Sequence, residues 1–255
     1  MSAGKIAVVV GGANGIGAAC CEVMSRHGWS IVVADVDLAA GREIAGELGG
    51  RAFELDVRDA GMIEALAGQV ERDIGQVSAL VVSSGVFQGN VPIEDVSSDI
   101  FDRIMAVNVK GTFDVNRIFG MRMAAAGRGS IVNMASVTGH GSTPLSVYAP
   151  GKAAIINLTK SLAGEWGGRG VRVNSVSPGV TLVPRIRARK AEGDRYPPDL
   201  DDRMALRRCV EPNEVAEAVE FLASDRASGI TGTDLVVDCG WMTGSLWGVY
   251  SGGLR

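Results

Sequence analysis

The sequence has little of what metal, disulfide or membrane chemistry requires. Its four cysteines are spread over 255 residues: Cys20 and Cys21 adjoin inside a predicted helix, while Cys209 and Cys239 stand far off. None has metal-ligand spacing, so ordinary reduced thiols are expected. His27 and His140 are the only histidines, too few and too distant for a metal cluster, and no metal is expected. No apolar run reaches the roughly 18 residues of a membrane span, and the N-terminus enters a short strand without the features of a signal peptide. A cytoplasmic protein with no membrane partner is expected. A net charge of -4 and a pI near 5.3 provide no basic field for nucleic acid. Repeats, Pro/Ser-rich linkers and composition shifts are also missing, which leaves residues 1–255 as one expected domain.

Glycine is abundant, at 35 residues, as many tight strand-to-helix turns would require. Apolar strands are predicted at Ile6–Val10, Ser30–Ala34, Ala52–Leu55, Ala79–Ser83, Ser130–Met134, Val171–Val176 and Leu235–Val237. Helical patterns intervene at Ile16–His27, Leu38–Leu48, Ala60–Ile74, Ser98–Ala126, from Val147, and at Glu211–Leu222. Val-rich runs alternating with amphipathic helices predict a parallel sheet covered on both faces. Right-handed crossovers make it a doubly wound, Rossmann-type α/β fold of seven strands. From Arg185 to Arg208 the periodicity lapses: 13 of 24 residues are charged, eight basic and five acidic, which reads as a loop or short mobile helices. The tail after Trp241 is not expected to be helical; its Trp247 and Tyr250 either fray with it or pack on a neighbouring subunit.

Two constellations carry chemistry. Gly11, Gly15 and Gly17 lie between the first strand and helix, with Asn14 and Ile16 in the same turn. Glycines there let backbone N–H groups approach a pyrophosphate at the positive end of the helix dipole. Asp35 stands 18 residues beyond Gly17 at the end of the second strand, near the spacing of a carboxylate that binds the adenosine ribose. A 2'-phosphate would meet that charge with no basic residue close in sequence, so NAD is favoured over NADP.

The second constellation runs from Gly129 to Glu165. Tyr148 and Lys152 are four apart and share one helix face, and Ser136 at the carboxyl end of the fifth strand reaches the same volume. A phenol ordinarily titrates near pH ~10, but a nearby ammonium and a positively charged nicotinamide both favour the phenolate. Asn108 falls on an inward stripe with Ile100 and Ile104. There it either satisfies its own helix neighbourhood or holds water beside Lys152 for proton relay. His140 either lines the same pocket or stands in solvent.

In order and interval, Gly11, Gly15, Gly17, Asp35, Asp56, Asn108, Ser136, Tyr148, Lys152, Asn174, Pro178 and Gly179 resemble the short-chain dehydrogenase/reductase family over nearly the whole chain. The resemblance implies that Tyr148 is the general acid/base, that Lys152 lowers its pKa and binds the nicotinamide ribose, that Ser136 orients the carbonyl or alcohol, and that Asn108 supports the relay. It also implies Asp56 and Val57 near the adenine, Ser84 and Gly85 beside the cofactor, and Pro178, Gly179 and Thr181 near the nicotinamide. A substrate lid at about 181–208 is expected, as is a homotetramer or dimer built on the Asn108 and Tyr148 helices. The chain departs from the family pattern at Val10 and Val183, where the family has Thr, at Val82, Ser83 and Ser84 in place of Asn-Asn-Ala, and at Pro150 and Gly151. The expected activity is hydride transfer between NAD(H) and a secondary alcohol or ketone, with a sugar, polyol or other small hydroxylated substrate. The alternatives are a 3-oxoacyl reductase-like enzyme and a nucleotide-binding sensor or scaffold with weak or lost catalysis.

Overall fold

The computed structural model describes residues 5–193 and 196–244. Its strands are β1 (Ile6–Val10), β2 (Ser30–Asp35), β3 (Arg51–Glu54), β4 (Val77–Val82), β5 (Gly129–Met134), β6 (Val171–Pro178) and β7 (Asp234–Val237). They form one parallel sheet in the order β3-β2-β1-β4-β5-β6-β7, the predicted doubly wound fold. The helices are α1 (Gly15–Arg26), α2 (Leu38–Glu47), α3 (Ala60–Asp73), α4 (Ser98–Ile104), α5 (Thr112–Ala125), α6 (Tyr148–Trp166), α7 (Pro184–Ala191), α8 (Pro212–Ala223) and α9 (Trp241–Gly244).

Successive residues of a strand point to opposite faces, and here both faces are apolar because both are covered. Val8, Val10, Leu80 and Ile131 pack with Ile63 of α3, Phe119 of α5 and Trp166 of α6. Val9, Val81 and Val132 pack on the other side with Met24 of α1 and Val215 and Leu222 of α8. Each large side chain so buried contributes about 1.5–3 kcal/mol. The chain winds one way from β1 to β3 and the other way from β4 to β7, which leaves a crevice at the carboxyl ends of β1 and β4.

Two expectations change and a third, left open between a loop and short helices, is narrowed. Ser98–Ala126 is not one α-helix: a π-helical stretch, Met105–Gly111, separates α4 from α5. Its i→i+5 pattern inserts a residue into the turn, and Asn108 lies inside it, buried. The charged stretch after Val183 begins with a regular helix, α7, opened by Pro184 where a missing N–H costs nothing. Periodicity missed it because one partly buried apolar side chain, Ile186, anchors it to a small cluster around Leu200, Met204 and Cys209. Trp241–Gly244 also forms a helical turn, α9; Trp247 and Tyr250 lie outside the described residues.

All four cysteines are free, and burial pushes the thiols of Cys20 and Cys21 above their ordinary range. Among the described residues, no helix is long and apolar enough to cross a membrane.

Candidate active site

The turn after β1 is built on close backbone approach. Gly11 has φ +78°, and a Cβ there would stand 2.4 Å from the Ser84 nitrogen; a Cβ at Gly17 would stand 1.9 Å from the Gly11 carbonyl. Neither position admits a side chain. Asn14 precedes α1 without a side-chain cap bond, so the first-turn N–H groups remain available to another acceptor.

Two cavities, of about 660 Å³ and 420 Å³, open on the crevice. Asn14, Ser83, Gly85 and Val86 line both, so the two are contiguous across the glycine turn. Gly15 and Ile16 line the larger; Gly11, Asp56, Val57 and Ser84 line the smaller. Asp35 also lines the smaller cavity. Its carboxylate accepts the N–H groups of Ala13 (3.0 Å) and Asp37 (3.1 Å), which leaves further lone pairs for a ligand.

The fold adds what sequence distance concealed. Arg58 and Arg103 reach this same cavity. The Nε of Arg58 lies 3.0 Å from both carboxylate oxygens of Asp56, and that partner holds the Asp56 carboxyl below its usual range. Arg58 follows Asp56 by two residues, so its pairing could be read from the sequence; Arg103 comes from α4 and gave no local signal. The Ser84 hydroxyl oxygen is buried with no hydrogen-bond partner among the described residues.

In the larger cavity the three predicted polar groups converge. Lys152 is buried, its Nζ donates to the Met134 carbonyl at 2.7 Å, and it lies 5.5 Å from the centre of the Tyr148 ring. Burial lowers the Lys152 pKa to about 8, because the ammonium has left water. Ser136 stands just beyond β5, where its Oγ accepts from the Thr138 N–H at 3.2 Å and from the Thr138 hydroxyl at 3.0 Å. With both lone pairs engaged, its own proton is left to donate elsewhere. Ser136, Thr138, Tyr148, Lys152, Pro178, Gly179 and Thr181 all line this cavity.

The loop after β4 holds the site together through Val86, Phe87 and Gln88, which the sequence had not singled out beside Ser84 and Gly85. The Asn108 side chain accepts the Val86 N–H at 2.8 Å and donates to the Val86 carbonyl at 2.9 Å. Its amide is therefore engaged by a backbone rather than aimed at Lys152. The next residue, Phe87, packs its ring 4.5 Å from that of Tyr148. Gln88, fully buried, accepts the N–H groups of Val147 and Tyr148 at 2.9 and 3.1 Å, and so caps α6 from a distance. Val147, the residue at the cap position, makes no side-chain bond of its own.

Two further positions can be placed, and of the two alternatives for His140 the solvent-exposed one holds. His140 is outside the cavity: its Nε2 lies 2.8 Å from Asp234 and 3.3 Å from the Ser177 hydroxyl. Thr181 lines the cavity, but its hydroxyl is turned to the Gly179 carbonyl at 3.1 Å, while Val183 packs over Gly15, with Cγ1 3.3 Å from where a Cβ would stand.

Known proteins share this layout. A family profile described as enoyl-(acyl carrier protein) reductase matches residues 11–242. The D-threitol dehydrogenase of Mycolicibacterium smegmatis is 39% identical over 244 residues, covering 93% of each chain. A solved structure described as a short chain dehydrogenase/reductase family protein superposes with a TM-score of 0.84 at 36% identity, covering 93% of this chain and 97% of that one. Another, from Brucella melitensis 16M and described as ribose-5-phosphate isomerase, has a TM-score of 0.94 at 44% identity and covers 99% and 98% of the two chains.

Proposed function

The chain belongs to the short-chain dehydrogenase/reductase family of nicotinamide-dependent oxidoreductases, and from that premise we propose that it interconverts a secondary alcohol and its ketone with NAD(H). The observation that carries this reading is the convergence of Ser136, Tyr148 and Lys152 in a cavity that continues, across the glycine turn, into a second cavity bordered by Asp35. Paired cavities joined at a helix N-terminus fit a dinucleotide, with adenosine in the smaller and nicotinamide in the larger. When bound, nicotinamide supplies or accepts the hydride.

The protein's part is proton chemistry and orientation. The Tyr148 phenol gives a proton to the ketone oxygen or takes one from the alcohol. The Lys152 ammonium, buried beside it, favours the phenolate. Ser136, held as an acceptor by Thr138, donates its hydroxyl proton to the same substrate oxygen. Asn108 acts through Val86 by fixing the loop that borders both cavities. Asp35 supports NAD because a 2'-phosphate would face its carboxylate; of the two arginines at the cavity, Arg58 is matched by Asp56, and Arg103 is the cation that weighs the other way. The relative described as a D-threitol dehydrogenase supports a small hydroxylated substrate. Aldose–ketose isomerisation, suggested by the description of the Brucella neighbour, needs no dinucleotide cleft. Segment 181–208, with Ile186 and Tyr196 against the cavity, would serve as the lid. Exposed Phe101, Phe113 and Met121 on α4 and α5 support a homotetramer joined there and at α6, which sedimentation would report as mass.

The test is initial rates with NADH and NADPH across an alcohol and ketone panel that includes threitol, for wild type and Tyr148→Phe. NADH should be preferred, and Tyr148→Phe should lose about 10²–10⁴-fold in kcat while still binding NADH. Full activity in Tyr148→Phe would sink the mechanism; tight NADH binding with no turnover of any member would favour a sensor.

A further inference from the structure

The charge inventory of the larger cavity bears on its substrate and extends the hydride-transfer reading, on which it rests. Of the 25 described residues that line it, none is Asp or Glu, and their charged side chains are Lys152 and Arg185. Lys152 is engaged by the Met134 carbonyl. Arg185 is in the first turn of α7 and exposed, and no described residue forms a hydrogen bond or ion pair with it.

That freedom is unusual in its segment. Arg187 pairs with Glu211, Lys190 with Asp201, Arg203 with Asp199, Arg207 with Asp202 and Arg208 with Glu214. Five of the seven described basic residues between Pro184 and Arg208 are thus neutralised, and of the other two, Arg185 and Arg189, Arg185 lines the cavity. Ile186, Tyr196 and Trp241 line the same cavity and pack against one small apolar cluster. A guanidinium stays protonated at every working pH and presents a planar fork of donors matched to carboxylate and phosphate. With no acid among the described residues that line the cavity, its field meets little opposition.

We infer that Arg185 binds an anionic oxygen group of the substrate, so that the preferred substrates are secondary alcohols bearing a carboxylate or phosphate rather than neutral polyols. The same chemistry has a second source, the cofactor diphosphate. Backbone N–H groups of the turn around Gly15, which carry no side-chain cap, would hold that group, which leaves Arg185 for the substrate.

Matched pairs separate the two sources: threonate against threitol, and 4-hydroxycyclohexanecarboxylate against its methyl amide. Wild type should favour the anionic member by tenfold or more in kcat/KM, and the preference should shrink as salt rises. Arg185→Gln should reduce that ratio about tenfold while the NADH dissociation constant, read by fluorescence, keeps within twofold. A wild-type preference for the neutral members overturns the inference. So does an Arg185→Gln variant that binds NADH more weakly yet keeps the ratio, since Arg185 would then serve the diphosphate. Should neither pair turn over, the hydride-transfer reading is what fails. Binding to the NADH complex then decides the role of Arg185: tighter binding of threonate than threitol supports it, and equal binding overturns it.

Discussion

Replacing Gln88 by methionine isolates the hold that the loop after β4 has on the helix carrying Tyr148 and Lys152. The two side chains have nearly the same length, but methionine offers no strong acceptor. Two donors, the buried N–H of Val147 and the half-buried N–H of Tyr148, lose the oxygen that now lies 2.9 and 3.1 Å away. An orphaned buried donor costs about 1–3 kcal/mol, and loss of a helix cap about 0.5–2 kcal/mol. With partial relaxation the stability loss is about 2–4 kcal/mol, or a fall of roughly 5–15 °C in Tm for a chain of this size. The loosened turn carries Tyr148, and a misplacement of about 1 Å can cost ~10²-fold in rate, so kcat should fall about 10–100-fold. Fraying also weakens the contact of the phenol with Lys152 and the helix dipole, so the midpoint of the kcat–pH profile should move up. NADH affinity should hold within twofold, because Gln88 lines neither cavity. Gln88→Glu keeps the accepting oxygen and should recover most of the Tm. The assays are thermal unfolding, hydride transfer by NADH absorbance against pH, and NADH fluorescence. A variant that loses stability but keeps both kcat and the pH midpoint would refute the link to Tyr148.

Two further outcomes are expected. Burial holds Lys152 at about 8, below the ~10.4 of the unfolded chain. Between those values the unfolded state binds more protons, so stability rises with pH; below about 8 both states are protonated and the cost of burying the ammonium is fully present. Urea unfolding of wild type against Lys152→Met should therefore show wild type gaining ~3 kcal/mol, relative to the variant, between pH 7 and about pH 10.5, and a flat difference would contradict a buried ammonium. Asp35→Asn keeps one acceptor and removes the charge. It should weaken NADH about tenfold, since a charged hydrogen bond contributes ~1.5–3 kcal/mol, and narrow the gap to NADPH; an unchanged ratio of the two dissociation constants would remove Asp35 from cofactor choice.

Periodicity determined most of the architecture. The β1, β4 and β5 residues are buried on alternating faces between helix layers, so their hydrophobic patterns predict both the strands and the parallel sheet. The spacing of Gly11, Gly15 and Gly17 and the four-residue step from Tyr148 to Lys152 are local geometry, and local geometry is written in sequence. The charged helix α7 was left open between loop and short helix because one partly buried side chain anchors it, too little to mark a period. The π-helical stretch around Asn108 escaped because its register is set by where the Val86 backbone lies.

The sequence by itself determined the sheet, the glycine turn after β1 and the phenol–ammonium pair, since each depends on residues close along the chain. Tertiary structure decided which groups support them. Gln88 reaches the start of α6 across 59 residues to Val147, Arg103 joins Asp35 in one cavity, and Arg185, which pairs with no described residue, lines one cavity with Trp241. Such contacts depend on how strands and helices pack at the carboxyl edge of the sheet, and no spacing along one segment encodes a distance between two.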